Sequence, residues 1–389
     1  MMVFALCTAF SGPLLKLVGQ DCGGFHFYGT SSKGKTTLLQ VSGSVWGSGA
    51  DPAASDYSYI GRWNTTGNAL EAVAAAHNDG LLCLDEMGTC DQRDFGKVIY
   101  DLFGGQGKRR LNKKSMLQRS RTWRLAALST GEISVEDKIL EGGGKHRTGH
   151  LVRMIDVPIG EGVFLGEPDQ SRLLVNNLKK HCSNFYGTAG PAFVDQLTRY
   201  QPTFQEMKLG IQSLVEDIEA NFVKKNGLEP FQERVLRRMC VVAAAGSLAC
   251  DFEVLPFDKL TVMNSLLNIW NLWLQGGSSK PPVVVAILRL KEFILCNQSR
   301  FAKLGEEDAV VRDQAGYHSG IGGKRHYLLT DSAAREALQG HNVKTVMREL
   351  AQRKFLHTTE VRRLKSKHTI RGTRQYFYTI NETFLEFEG

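Results

Sequence analysis

The chain has no Cys-x-x-Cys pair among its eight cysteines, no Gly-x-Ser-x-Gly elbow, and no histidine set beside Cys or Asp at metal-ligand spacing. The first absence argues against a zinc ribbon and against a disulfide framework. Scattered cysteines fit a reduced, cytoplasmic compartment, where they act as small apolar core residues. The other two absences remove a serine-hydrolase nucleophile and a His/Cys metal centre from consideration. His77 reads as a helix-end or core residue. No segment offers the roughly 20 uninterrupted apolar residues of a membrane-spanning helix, so no membrane partner is expected. The apolar start, Met1–Val18, lacks a basic leader and is broken by Lys16; it reads as a buried helix and not as a targeting segment. There is no internal repeat and no low-complexity tract.

What is present is ordinary globular material: 389 residues, 42% hydrophobic and 23% charged. That length exceeds what one core usually holds, so two or three domains are expected. The formal net charge of +8 points to a polyanionic partner such as nucleic acid.

Residues 1–160 alternate strands and helices: strand Phe25–Tyr28, helix Thr36–Trp46, helix Asn68–His77, strand Gly80–Leu84, helix Asp94–Phe103, then strands Arg124–Ser129 and Leu151–Pro158. Short apolar strands spaced by helices predict a parallel sheet with helices on both faces. Residues 161–278 are helical in pattern, with Glu233–Ala249 and Thr261–Leu274 as the clearest helices. Gly276–Pro282 has the Gly, Ser and Pro content of a linker, and places a boundary there. In residues 279–389, helices are expected at Val283–Cys296, Asp331–Leu338 and Asn342–Arg353. Two alternating runs, Val361–Lys365 and Arg374–Ile380, follow around a basic turn at Lys365–Gly372. That order is the one expected of a winged helix-turn-helix.

The segment Gly29-Thr30-Ser31-Ser32-Lys33-Gly34-Lys35-Thr36 matches the phosphate-loop pattern G-x-x-x-x-G-K-[ST] without deviation, and Thr37 continues it. Glycines let successive backbone N–H groups turn toward phosphate oxygens, and the following helix N-terminus adds partial positive charge. Lys35 is expected to reach the β- and γ-phosphates of ATP, and the Thr36 hydroxyl to ligate Mg²⁺. The strand Leu81-Leu82-Cys83-Leu84 ends in Asp85-Glu86. Asp85 is expected to hold Mg²⁺ through water, and Glu86 to polarise the attacking water, which favours hydrolysis over transfer to a small acceptor. Ser129 or Thr130, closing the next strand, fits a polar sensor of the γ-phosphate. Arg153 is expected to act as an arginine finger in a neighbouring subunit's site.

Four stretches, at 23–47, 70–88, 128–132 and 233–249, together resemble the domain-of-unknown-function 927 family: helicase-like proteins of phages and integrating mobile elements, often beside primase modules. The resemblance covers most of residues 1–300. It implies an α/β fold of the AAA+ P-loop ATPase type, with an ATPase core (1–160), a helical lid region (161–278) and a C-terminal winged-helix domain (279–389). It also implies an ATP-dependent DNA helicase working as a ring, a homo-hexamer, with a primase as partner. Arg234 and Arg238 fall where a second sensor arginine in the lid would contact nucleotide. Relatives carry sequence ahead of the first helix, so the chain reads as a fragment or a shortened copy.

Between Asp101 and Glu132 there is no acidic residue, while Lys108, Arg109, Arg110, Lys113, Lys114, Arg119, Arg121 and Arg124 fall in the interval. In related helicases this interval carries a hairpin that projects basic side chains onto a DNA strand. Glycines at 104, 105 and 107 would start it and Asn112-Lys113 would sit near its tip. A second basic stretch, Lys344–Arg374, would contact duplex DNA, with Asn342–Arg353 as recognition helix. The alternative function is a non-motor AAA+ ATPase, a helicase loader or DNA-binding regulator. A small-molecule P-loop kinase fits poorly, because it needs neither the basic interval nor the C-terminal domain.

Overall fold

Five short apolar strands form one all-parallel sheet in the computed structural model, which describes every residue except 55–56, 109–119, 145–146, 161, 165–166, 200–202, 223–227, 277–278, 306–310, 322–323, 359–362 and 389. The strands are β1 (Gly23–Tyr28), β2 (Gly61–Arg62), β3 (Leu81–Asp85), β4 (Ala126–Gly131) and β5 (Met154–Pro158). Their order across the sheet is β2-β3-β4-β1-β5, so β4 is inserted between β3 and β1.

Both faces of this sheet are covered, which is why its strands read as continuous apolar runs. Side chains alternate along each strand. Phe25, Phe27, Leu81, Cys83, Ala126, Leu128, Ile155 and Val157 enter one core. Leu82, Leu84, Leu125, Ala127 and Met154 enter a second core, with Trp63, Phe95 and Trp123. The first core also takes Leu38 and Leu39 of α2 (Lys35–Gly43). The second takes Leu70 and Ala74 of α3 (Gly67–Ala76), and Ile99 and Leu102 of α4 (Phe95–Phe103). Side-chain caps start these two helices: Thr66 accepts from the Ala69 N–H, and Asp94 from the Lys97 N–H. Two short helices, α5 (Val135–Glu141) and α6 (Thr148–Leu151), lie between β4 and β5. The strand expected over 151–158 is therefore shorter, because Thr148–Leu151 closes a helical turn first.

The apolar start of the chain forms helix α1 (Met2–Ala9), with Phe4, Ala5, Cys7 and Ala9 buried in the first core. Five more helices follow the sheet: α7 (Pro168–Asn184), α8 (Ala189–Arg199), α9 (Phe204–Phe222), α10 (Pro230–Asp251) and α11 (Lys259–Gln275). α10 is buried from Val235 to Ala249 apart from Arg237, since nearly every face of it meets another element. Its small-residue run, Ala243–Gly246, lets α1 approach: a side chain at Gly246 would overlap Cys7.

The chain divides into two compact units, Met1–Ser279 and Lys280–Gly389. The second contains α12 (Pro282–Cys296), β6 (Phe301–Lys303), β7 (Gly316–Ile321), β8 (Lys324–Leu329), α13 (Asp331–Ala337), α14 (Val343–Gln352), β9 (Leu356–His357), β10 (Ser366–Ile370) and β11 (Thr373–Asn381). Its sheet runs β10-β11-β8-β7-β6, with β9 also paired to β11. Helix positions match the sequence expectation within a residue or two, but two readings need correction. Residues 366–370 are a strand and not a turn; the turn is Arg371-Gly372, both at positive φ. Strands β7 and β8 were not foreseen, because Gly316, His318 and Gly320 in one and Lys324, Arg325 and His326 in the other have weak strand preference. Cross-strand pairing along Gly316–Leu329 through Ile321–Lys324 supplies what local propensity lacks.

A candidate nucleotide site at the strand ends

Because β4 lies between β3 and β1, the C-terminal ends of all three meet at one edge. Asp85 ends β3, Thr130 is next to last in β4, and β1 runs into the loop 29–34. Ligands in open α/β sheets sit outside these carboxyl ends. The loop is tied on both flanks. The Gly29 N–H donates to Gly131 O (3.3 Å), Ile159 N–H to Tyr28 O (2.7 Å) and Val163 N–H to Lys33 O (2.9 Å). Gly34 is the N-cap of α2 at φ +85°, and Gly29 lies at φ +150°; both conformations disfavour a side chain. Ser32 adopts φ +62° in the same loop.

Lys35 folds back over this loop, its Nζ donating to Gly29 O (2.7 Å) and Thr30 O (2.6 Å). Burial lowers its pKa, opposed by the Glu132 and Asp85 carboxylates. Thr36 is half-buried at the first turn of α2, and Thr37 is buried. The N–H groups of that first turn have no partner within the helix. Asp85 is 7% exposed; its Oδ1 accepts from the Glu86 N–H (2.9 Å) and from the Thr130 hydroxyl. Glu86 is exposed at φ +57°, a conformation rare for residues with a side chain and concentrated at functional sites.

A cavity of about 970 Å³ lies over these groups. Ser31, Ser32, Lys33, Gly34, Lys35, Thr36, Thr37, Asp85 and Glu86 all line it, so the structure brings both halves of the sequence-read site together. It adds Glu132 and Glu141, and, from α7, Arg172 and Lys179. Glu132 was legible in the Leu-Ser-Thr-Gly-Glu stretch; the α7 residues carried no motif.

Strand alternation separates the two sensor candidates. Thr130 shares a sheet face with Leu128 and Ala126, the face against which α2 packs, and so meets Asp85. Ser129 is on the other face. Its Oγ accepts from Trp63 Nε1 (2.7 Å) and bonds His26 Nδ1 (2.9 Å), while His26 Nε2 lies 2.9 Å from Ile133 O. Burial pushes His26 down to about 4, so the ring is neutral at pH 7. Neither residue lines the cavity: Ser129 belongs to a buried polar network, whereas Thr130 is linked to the cavity through Asp85.

The three arginines lie elsewhere. Arg238 on α10 is 5% exposed and donates to three backbone carbonyls: Val152 (3.3 Å), Asp21 (3.0 Å) and Cys22 (3.2 Å). Burial lowers its pKa to about 10. Those carbonyls precede β1 and β5, at the edge opposite the loop. The expectation that Arg238 binds nucleotide is corrected: the guanidinium is consumed in joining α10 to the strand starts. Arg234, one turn earlier on α10, is exposed. Arg153 immediately precedes β5, with Nη1 on Gly149 O (3.0 Å) and its guanidinium 4.6 Å from the Tyr100 ring centre. A strand's length, roughly 16 Å, separates it from the loop edge of its own subunit.

In the basic interval, the flanks pair in antiparallel fashion. Gln106 bridges Thr122, the Gly107 N–H donates to Arg121 O (2.8 Å), and the Trp123 N–H to Gly105 O (3.0 Å). Lys108, at the end of the described arm, pairs with Asp101 (3.1 Å). Arg109, Arg110, Lys113 and Lys114 lie outside the described residues.

Residues 1–123 match the family model described as a domain of unknown function, DUF927. The matched segment contains the loop, Asp85, Glu86 and both paired flanks of the basic interval. The chain is also similar to a solved structure described as "SCCmec type IV Cch - active helicase", at a TM-score of 0.72 and 19% identity, covering 100% of this chain and 68% of that one. At that identity the likeness is one of fold. No curated protein sequence matches. Among the described residues, no helix is long and apolar enough to cross a membrane.

Because Arg238 satisfies three carbonyls inside the protein, Arg238→Ala should destabilise the chain by about 3 kcal/mol. Arg234→Ala, at an exposed position, should stay within about 0.5 kcal/mol of wild type. Urea unfolding of the full chain checks this, and equal losses for the two would contradict the buried-staple role.

Proposed function

We propose that the chain is an ATP-hydrolysing DNA helicase or translocase of a mobile genetic element, of the AAA+ P-loop class. In this reading it works as a hexameric ring whose basic hairpin engages a single strand. The observation that carries the reading is that Lys35, Thr36 and Asp85 line one cavity of nucleotide size at the sheet edge, with the Thr130 hydroxyl donating to Asp85. The likeness to the described helicase and the DUF927 match support the choice of a DNA motor over other ATPases.

The residues fit the cofactor. Thr36 and Asp85 offer the hard oxygen donors that Mg²⁺ prefers, beside a loop whose N–H groups suit phosphate. Mg²⁺, when bound there, supplies charge neutralisation at the phosphates of ATP. Lys35 exchanges two carbonyl partners for phosphate oxygens, a charge-assisted contact that is stronger. Thr130 keeps one Asp85 oxygen engaged and so orients the other. Glu86, held at positive φ on the cavity rim, orients the attacking water. Ser129 supports β4 from behind through His26 and Trp63.

Arg153 is too far from its own site to act there, which leaves a partner subunit's site as its target; exposed Arg234 is the remaining lid arginine for the same interface. The paired flanks, 105–107 and 121–123, form the base of the proposed hairpin; Arg109, Arg110, Lys113 and Lys114 are its proposed strand-contacting residues. Lys108, anchored on Asp101, is a base residue in this arrangement. The second compact unit is read as a winged-helix domain that contacts duplex DNA, and a primase is the expected functional partner.

Wild-type chain should displace a strand from a forked DNA only with ATP and Mg²⁺. Lys35→Ala should lose nucleotide binding, whereas Glu86→Gln should bind ATP and stop turning over, a split that distinguishes a ground-state contact from one made in the transition state. ATP-dependent displacement absent under all ring-forming conditions, with hydrolysis intact, would favour the non-motor alternative. Arg153→Ala subunits should hydrolyse poorly, and mixing them with Lys35→Ala subunits should recover part of the activity. No recovery in assemblies shown to contain both would remove the trans role.

A further inference from the structure

In the second unit, α14, the segment Arg363–Lys365 and β11 line a groove of about 880 Å³. Lys344 and Arg348 line it from one helix face, with Arg363 and Lys365 opposite; no carboxylate is among the described lining residues, and Lys365 itself pairs with Asp331 (2.6 Å) outside them. Its floor is aromatic. On β11, Tyr376 and Tyr378 share one face of the strand, while Phe377 between them enters a small core with Leu328 and Ile370. Tyr378 is buried, with Lys365 Nζ 5.1 Å from its ring centre. Tyr376 is 52% exposed, and its neighbour across the ladder is Lys367.

A purely electrostatic contact to a duplex backbone needs the cations but not an exposed ring. A folded core needs the buried tyrosine but not the exposed one. An aromatic platform among cations is what an unpaired base requires: the ring stacks on any base, and the cations track the phosphates on either side. We infer that this groove binds single-stranded nucleic acid, with one unpaired base stacked on Tyr376 and flanking phosphates on Lys344 and Arg348. The site is separate from the proposed channel hairpin and does not depend on ATP. It gives the second unit a preference for an unpaired strand over a blunt duplex.

The test uses the full chain carrying Lys113→Ala and Lys114→Ala, which weakens the hairpin contribution, and a short oligonucleotide containing 5-bromouracil. Irradiation should crosslink the base to Tyr376, mapped by peptide mass. In the same background Tyr376→Ala should weaken single-strand binding about tenfold, at the scale of one lost stacking contact. Tyr376→Phe should bind as the parent does, and blunt-duplex affinity should change little in either variant. Thermal unfolding of each variant checks that the fold is kept. Crosslinks confined to other residues, or an equal loss of single-strand and duplex binding in Tyr376→Ala, would overturn the inference.

Discussion

The insertion of β4 between β3 and β1 is the constraint on which the candidate site depends. It places Thr130 beside Asp85 and both beside the loop that follows β1. A hydroxyl donating to a 7%-exposed carboxylate fixes that carboxylate's orientation before any ligand arrives. Removing charge from water is costly, and a buried carboxylate persists only where donors satisfy it. The Glu86 N–H and Thr130 hydroxyl do so here, at the cost of a positive φ at Glu86. Such strain is tolerated where the surrounding sheet over-determines the backbone.

The opposite edge of the same sheet is closed by a different device. Arg238 binds carbonyls just before β1 and β5 and so ties α10 to both strand starts. Arg153 sits at that edge too, held on Gly149 O and the Tyr100 ring, away from the loop. One edge of the sheet therefore opens onto the cavity and the other is closed by Arg238.

Much of this was legible in the sequence, because short apolar runs ending in Gly29–Thr37 and in Asp85-Glu86 carry their own punctuation. What stayed hidden has identifiable causes. Ser129 and Thr130 could not be told apart, since a strand buried on both faces shows no alternation to set its phase; only the sheet partners do. Arg238 could not be told from Arg234 as a lid arginine, because its role depends on α10 being buried almost all round, which only the packing shows. Strands β7 and β8 are held by pairing with each other and, for β8, with β11 about fifty residues on, and not by local propensity. Arg172 and Lys179 reach the cavity only because α7 packs along α2.

The most direct measurement is a side-by-side determination of Mg·ATP binding and single-turnover hydrolysis in wild type and Thr130→Val, a substitution that keeps volume and removes the hydroxyl. The account expects ATP binding to hold within a few-fold while hydrolysis falls by about two orders of magnitude, the scale of a misplaced catalytic group. Hydrolysis at the wild-type rate would contradict the claim that the Thr130–Asp85 contact organises the site, and failure of wild type to bind Mg·ATP would contradict the site itself.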